Sequence, residues 1–186
     1  PSGGTGGGAS EATGSGSGME ALAALTEAVA GLATDELAWA TRAGGDWIVP
    51  ERGDAGDALS IAPDGSIYLA GQVYSNDPVF GAGGPNEIAV PMSNVDVRYD
   101  LFLAKYAPDG ALGWVRTAGG PQWETVAGVE AMADGRAVVA GAVGDGAAVF
   151  AAGEPSAVTV DAHSMYLARY SASGELEYVA HSINAG

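Results

Sequence analysis

Leu112-Gly113-Trp114-Val115-Arg116-Thr117-Ala118-Gly119-Gly120 repeats, with small changes, the earlier stretch Leu37-Ala38-Trp39-Ala40-Thr41-Arg42-Ala43-Gly44-Gly45. A second pair behaves in the same way: Asp100-Leu101-Phe102-Leu103-Ala104-Lys105-Tyr106 returns as Ser164-Met165-Tyr166-Leu167-Ala168-Arg169-Tyr170. Similar short segments recurring in a fixed order, every 65 to 75 residues or so, are the mark of a repeat architecture. The recurrence constrains shape far more than chemistry.

Around these segments, everything after Glu36 reads as strand and turn. Asp57–Ala62, Ser66–Val73, Asp100–Tyr106 and Leu112–Ala118 are rich in β-branched residues, Leu and aromatics. They are divided by Pro63-Asp64-Gly65 and Pro108-Asp109-Gly110, where Asp-Gly supplies the positive φ of a tight hairpin. A second set runs Thr125–Met132, Arg136–Val143, Ser164–Tyr170 and Leu176–Ser182, with turns at Ala133-Asp134-Gly135 and Ser173-Gly174. The expected fold is therefore all-β: two four-stranded antiparallel blades of a β-propeller plus one extra strand at Glu36–Ala43, the content that a propeller assigns to each blade. Repeats of about 46–120 and 121–186 follow.

Each set contains a long connection between its second and third strands, Tyr74–Tyr99 and Gly144–His163. Both carry a Val-Phe pair, Val79-Phe80 and Val149-Phe150, at the same offset from Gly71 and Gly141. Recurrence makes the pair a structural plug under the loop rather than a ligand anchor. Glu87-Ile88-Ala89-Val90 offers a further strand within the first of these loops.

Two segments precede the strands. Residues 1–18 are almost wholly Gly, Ser, Thr and Ala, a composition that cannot bury enough apolar surface to offset its ordering entropy, and read as a flexible tether. Within residues 19–35, Leu22, Leu25, Val29 and Leu32 fall at helical spacing, with Glu20 and Glu27 for the wet face, which predicts a short amphipathic helix. The region from 36 to 186 is then the folded repeat region.

Composition removes several function classes. A net charge of -16, from 23 acidic and 7 basic residues, opposes nucleic-acid binding, since phosphates need Lys and Arg to displace counterions. An anionic membrane surface is disfavoured on the same ground. No apolar run approaches the ~20 residues of a membrane span, so direct membrane insertion is not expected. Without cysteine, disulfides and thiolate metal sites play no part.

The run Asp57-Ala58-Leu59-Ser60-Ile61-Ala62-Pro63-Asp64-Gly65-Ser66-Ile67-Tyr68-Leu69-Ala70-Gly71 carries a family likeness. It continues through Phe80-Gly81, then Tyr99 to Gly110, and ends on Trp114 and Gly119-Gly120. In these residues the chain resembles the bacterial β-propeller repeats called SBBP repeats, which occur in tandem in exported and cell-surface proteins. The likeness spans roughly 36–186 and is better in the first copy; the second has Ser164 where the first has Asp100, and no clear counterpart of Asp57. The resemblance implies a propeller, export to the cell surface or beyond, and no established shared catalytic activity; the leader is then read as a lipoprotein-like tether to an outer membrane. It also implies that Trp39 and Trp114 lie in outer strands and that Gly44-Gly45 and Gly119-Gly120 lead into the next blade.

Few residues stand in chemically suggestive arrangements. His163 and His181 are far apart in sequence and lack the spacing of a metal site. His163-Ser164 near Asp161 invites a nucleophile reading, yet strand neighbours point to opposite faces and no Gly-x-Ser-x-Gly elbow is present. Asp54 and Asp57 offer oxygen ligands to calcium, without the spacing of an EF-hand loop. They are the only metal candidates, and no organic cofactor, catalytic residue or cofactor-binding residue is expected.

The function expected is therefore non-enzymatic: an exported or cell-surface propeller module that binds protein or glycan partners through its long loops. Two alternatives remain open. One is a fragment of a propeller enzyme, a hydrolase, lyase or quinoprotein, with its active residues in further blades. The other is a subunit of a homo-oligomeric ring or filament joined by strand exchange, because two blades are fewer than the four to eight or so that close a propeller.

Overall fold

Short apolar segments separated by Asp-Gly turns can bury their side chains only by pairing with neighbours, and the computed structural model shows them doing so. It describes residues 39–46, 53–90 and 99–182. The predicted tether and helix lie outside the described residues. Among the described residues the chain is all-β, with no helix and 13 strands in three antiparallel sheets. None of these sheets closes on itself.

The first four-stranded set comprises β2 (Ala55–Ile61), β3 (Ile67–Val73), β6 (Asp100–Tyr106) and β7 (Leu112–Gly119). They pair consecutively in that order. The second comprises β8 (Glu124–Ala131), β9 (Ala137–Val143), β12 (Met165–Tyr170) and β13 (Leu176–His181), again in consecutive pairing. All eight strands lie within two residues of the ranges expected from sequence. Their hairpin turns share one chemistry. In three of them an Asp carboxylate accepts the amide two residues on, Asp64 from Ser66, Asp109 from Ala111 and Asp134 from Arg136. The fourth uses Ser171, whose Oγ accepts the Glu175 amide.

Where the long loops lie, the architecture departs from two four-stranded sheets and one extra strand. The first loop folds into β4 (Asn76–Phe80) and β5 (Ile88–Ala89), the second into β10 (Ala148–Phe150) and β11 (Val158–Val160). β10 pairs with the end of β7, so β10 and β11 extend the first sheet to six strands, in the order β11-β10-β7-β6-β3-β2. β4 pairs in the same manner with β1 (Ala43–Asp46), giving a separate three-stranded sheet. The registers correspond: Phe150 faces Ala118 and Val149 faces Gly119, while Phe80 faces Ala43 and Val79 faces Gly44. Phe80 and Phe150 are fully buried, so the Val-Phe pairs sit on pairing strands.

Of the strand expected at Glu36–Ala43, residues 36–38 lie outside the described residues, and the rest is corrected by the same pairing. Among the described residues the strand begins at Ala43, and Trp39–Arg42 precede it unpaired. Trp39 has another task. Its indole Nε1 donates to the Pro108 carbonyl at 2.9 Å, and its ring covers Gly110. Trp114 makes the corresponding contact one set further on, donating to the Ala172 carbonyl at 3.0 Å with its ring over Gly174. Gly110 (φ 84°) and Gly174 (φ 85°) are in the left-handed region, and a Cβ on either would strike the indole.

The largest apolar cluster joins both principal sheets, with Leu101, Leu103 and Trp114 from the first and Val139, Tyr166 and Tyr170 from the second. Trp114 lies between Tyr68 and Tyr170, with ring centroids 6.0 and 6.4 Å away. Two polar ties cross the same junction: Tyr68 donates to the Gly135 carbonyl, and Ser60 Oγ accepts the Ala131 amide at 2.9 Å. A second cluster, including Val73, Phe80, Phe102 and Tyr106, occupies the opposite face of the first sheet.

Truncating Trp114 removes a ring from this junction together with its hydrogen bond. Trp114→Ala is expected to lower the unfolding free energy by about 3–5 kcal/mol, and Trp39→Ala, at a half-buried site, by less. Denaturant unfolding followed by circular dichroism measures both; a cost for Trp114→Ala under about 1 kcal/mol would show that the docking does not hold the sheets together.

Candidate functional site

The paired glycines that end β7 bring two acidic side chains into the interior. Leu101 pairs with Ala118, which sets Asp100 beside Gly119. The Asp100 carboxyl lies over the Gly119 Cα, where any Cβ would collide with it. Only glycine fits there. Four residues after Gly120, Glu124 opens β8, and its amide donates to the Tyr99 carbonyl at 3.0 Å. Asp100 is 4% exposed and Glu124 0%.

Glu124 is the most perturbed acid among the described residues. Neither carboxyl oxygen makes a well-formed hydrogen bond. Burial pushes its pKa up from the ordinary carboxylate range to about 8, the negative charge of Asp100 pushes the same way, and the Gly120 amide opposes them in part. Glu124 is therefore mostly neutral at pH 7. Tyr166 responds to the same surroundings, its phenol raised by burial and then by Tyr170 and Glu124, and it donates to the Thr125 carbonyl at 2.9 Å.

Asp54 occupies the matching position just before β2, and there both carboxyl oxygens find donors. Its Oδ1 accepts the amides of Tyr74 (2.7 Å) and Ser75 (2.9 Å), and its Oδ2 accepts the Gly45 amide (3.1 Å) and the Ser75 hydroxyl (2.6 Å). This carboxylate staples the end of β1 to the end of β3. At the Glu124 position the longer side chain meets no such set of donors, and the Gly144 amide is spent on the Trp123 carbonyl.

The calcium candidates are thus committed to different partners: Asp54 to its four donors, and Asp57, on the exposed part of β2, to the Gln72 side-chain amide at 2.9 Å. Among the described residues no group of three or more His, Asp or Glu side chains is placed to hold a metal. The histidines remain apart. Ser164 donates to the Ser182 carbonyl, and His163 approaches only the exposed Asp145, at 3.6 Å. Neither serves as base to a nucleophile in this arrangement.

Beside each glycine pair opens a polar cleft walled by the loop hairpins. The first, about 780 Å³, is lined by Arg42, Asp54, Asp77 and Glu87. The second, about 310 Å³, is lined by Asp100, Arg116, Thr117 and Glu154. Arg116 is held by the Gly174 carbonyl, which its Nε reaches at 2.8 Å. Both clefts offer hydrogen-bonding groups of both signs on walls supplied by β4–β5 or β10–β11 and their turns. Sequence reasoning reached the loops and Asp54 but passed over Glu124, whose only signal was its equal spacing from Gly141 as Asp54 from Gly71.

No helix among the described residues is long and apolar enough to cross a membrane. No protein-family model matches the chain, and no curated protein matches it.

The raised pKa of Glu124 sets a sign for pH dependence. The folded state binds this proton more tightly than the unfolded chain does, so the associated stability is full below the ordinary carboxylate range. It is lost as pH rises through about 8. Glu124→Gln keeps the shape without the ionisation, and should stay level in denaturant midpoint between about pH 6 and about pH 9 while the parent chain falls. Parallel profiles for the two proteins would count against a buried neutral Glu124.

Proposed function

We propose that the chain is a segment of a β-propeller of the SBBP-repeat kind, exported to the cell surface or beyond, and that it works as a non-enzymatic module binding protein or glycan partners. The observation that carries this reading is the matched docking of Trp39 on the Pro108–Gly110 turn and Trp114 on the Ala172–Gly174 turn, each beside an outer strand paired to the next loop hairpin. Two successive sheets joined by one rule describe an array that further blades extend by the same contacts. The quoted motif of the first copy supports the family, and the net charge of -16 supports a soluble, solvated surface.

Binding is assigned to the clefts because loops held on a rigid sheet are where recognition groups usually gather. Arginine and carboxylate side chains around a shallow polar depression suit hydroxyl-rich sugars or a polar peptide loop, and the first cleft is the larger. A second reading, a subunit of a ring or filament, is favoured by the uncovered apolar side chains Leu59, Ile61, Met165 and Leu167.

A glycan array and a peptide array probed with the full chain test the binding reading. Specific binding that weakens about tenfold, or ~1.4 kcal/mol, in Asp77→Asn or Glu154→Gln is the expected result. A folded chain that binds nothing on either array, or whose binding ignores both substitutions, would overturn the assignment to these clefts.

A further inference from the structure

The two principal sheets correspond residue for residue, yet they differ in what covers them. Leu101, Leu103 and Trp114 of the first sheet are 0%, 0% and 7% exposed, because the second sheet lies over them. Their counterparts on the second sheet, Met165, Leu167 and Tyr178, are 70%, 40% and 38% exposed. The opposite faces differ in the reverse sense along β2, although Phe102 and Tyr106 further across the same face of the first sheet are buried against Phe80. Val129 and Ala131 on β8 pack against the shared cluster, whereas their counterparts Leu59 and Ile61 on β2 are 58% and 63% exposed.

The contact already present within the chain therefore states what covers each bare face. The face carrying Leu101 and Leu103 receives the face carrying Val129 and Ala131, and Ser60 and Ala131 hydrogen-bond across that junction. By the same pairing, the face carrying Met165 and Leu167 fits the face carrying Leu59 and Ile61. Both are exposed on one chain, and they cannot meet within it because they lie at opposite ends of the stack.

We infer that the chain associates head to tail with a second copy of itself, the Met165–Leu167–Tyr178 face of one copy covering the Leu59–Ile61 face of the next. The inference rests on the ring-or-filament reading above and names its surfaces. Such a contact is heterologous, so it propagates until a ring closes or a filament grows. One feature of the free chain opposes it. Tyr178 corresponds to Trp114, so it requires the seat on the Pro108–Gly110 turn that the chain's own Trp39 fills. The segment Trp39–Asp46 acts as a cap on the receiving face, and release of the cap promotes assembly.

Sedimentation velocity over a wide concentration series tests this on the full chain, with Trp39→Ala, Leu167→Glu and Ile61→Glu compared. Trp39→Ala is expected to assemble at concentrations at least about tenfold lower than the parent chain. Adding Leu167→Glu or Ile61→Glu to it should abolish assembly, and both substitutions lie at exposed positions that leave the fold intact. An equimolar mixture of those two double variants should form a dimer and stop there, since each retains one sound face. A Trp39→Ala chain that is folded but monomeric at every concentration would overturn the inference, as would a mixture that fails to pair. Either failure leaves the propeller reading standing, because a chain that folds without self-association retains the Trp114 docking and the β10–β7 pairing on which that reading also rests.

Discussion

A tryptophan lying flat on a glycine turn is the contact through which successive sheets recognise each other. The Trp114 indole needs a surface without a Cβ, and Gly174 in the left-handed region provides it. The indole N–H then finds the Ala172 carbonyl, so the ring is buried with its one polar atom satisfied. Because the turn belongs to β12–β13 and the indole to β7, the contact sets the position of one sheet against the other. The Tyr68 and Ser60 bonds and the pairing of β10 with β7 all require that placement.

A second constraint follows from stacking sheets this closely. Strand ends converge on the glycine pairs, and acidic side chains are carried into the interior with them. Asp54 resolves the problem by collecting four donors, three of them backbone amides, and so remains a structural staple. Glu124 has one methylene more and no comparable donors, and its carboxyl meets burial by retaining its proton. The two acids thus occupy matching places with different physical roles, one binding strand ends together and the other adding a pH-dependent weakness.

The ends of the stack complete the same logic. A sheet whose two faces are both apolar needs a neighbour on each side; the first sheet has the second over one face and β4–β5 over part of the other, and among the described residues the second sheet has only the first. What lies inside at that junction lies bare at the two ends, with Leu59 and Ile61 at one and Met165 and Leu167 at the other. Trp39 and β1 cover part of the receiving end, which connects the earliest described residues to the control of association.

The eight principal strands and their turns were legible in the chain, since alternating apolar segments and Asp-Gly pairs act through neighbours a few residues away. The sequence also marked Trp39 and Trp114 as recurrent, and Asp54 as a candidate oxygen ligand. Glu87–Val90 already offered the strand that forms as β5, whereas β4, β10 and β11 emerge only in the folded chain, because strands of three to five residues have no stability until β1 or β7 offers an edge. The start of β1 at Ala43, after the unpaired Trp39–Arg42, has the same origin, as does the commitment of Asp54 to backbone amides. The burial of Glu124 beside Asp100 was beyond sequence reasoning as well: the two are distant in the chain, and their coupling exists only where β6, β8 and the Gly119-Gly120 pair meet in space.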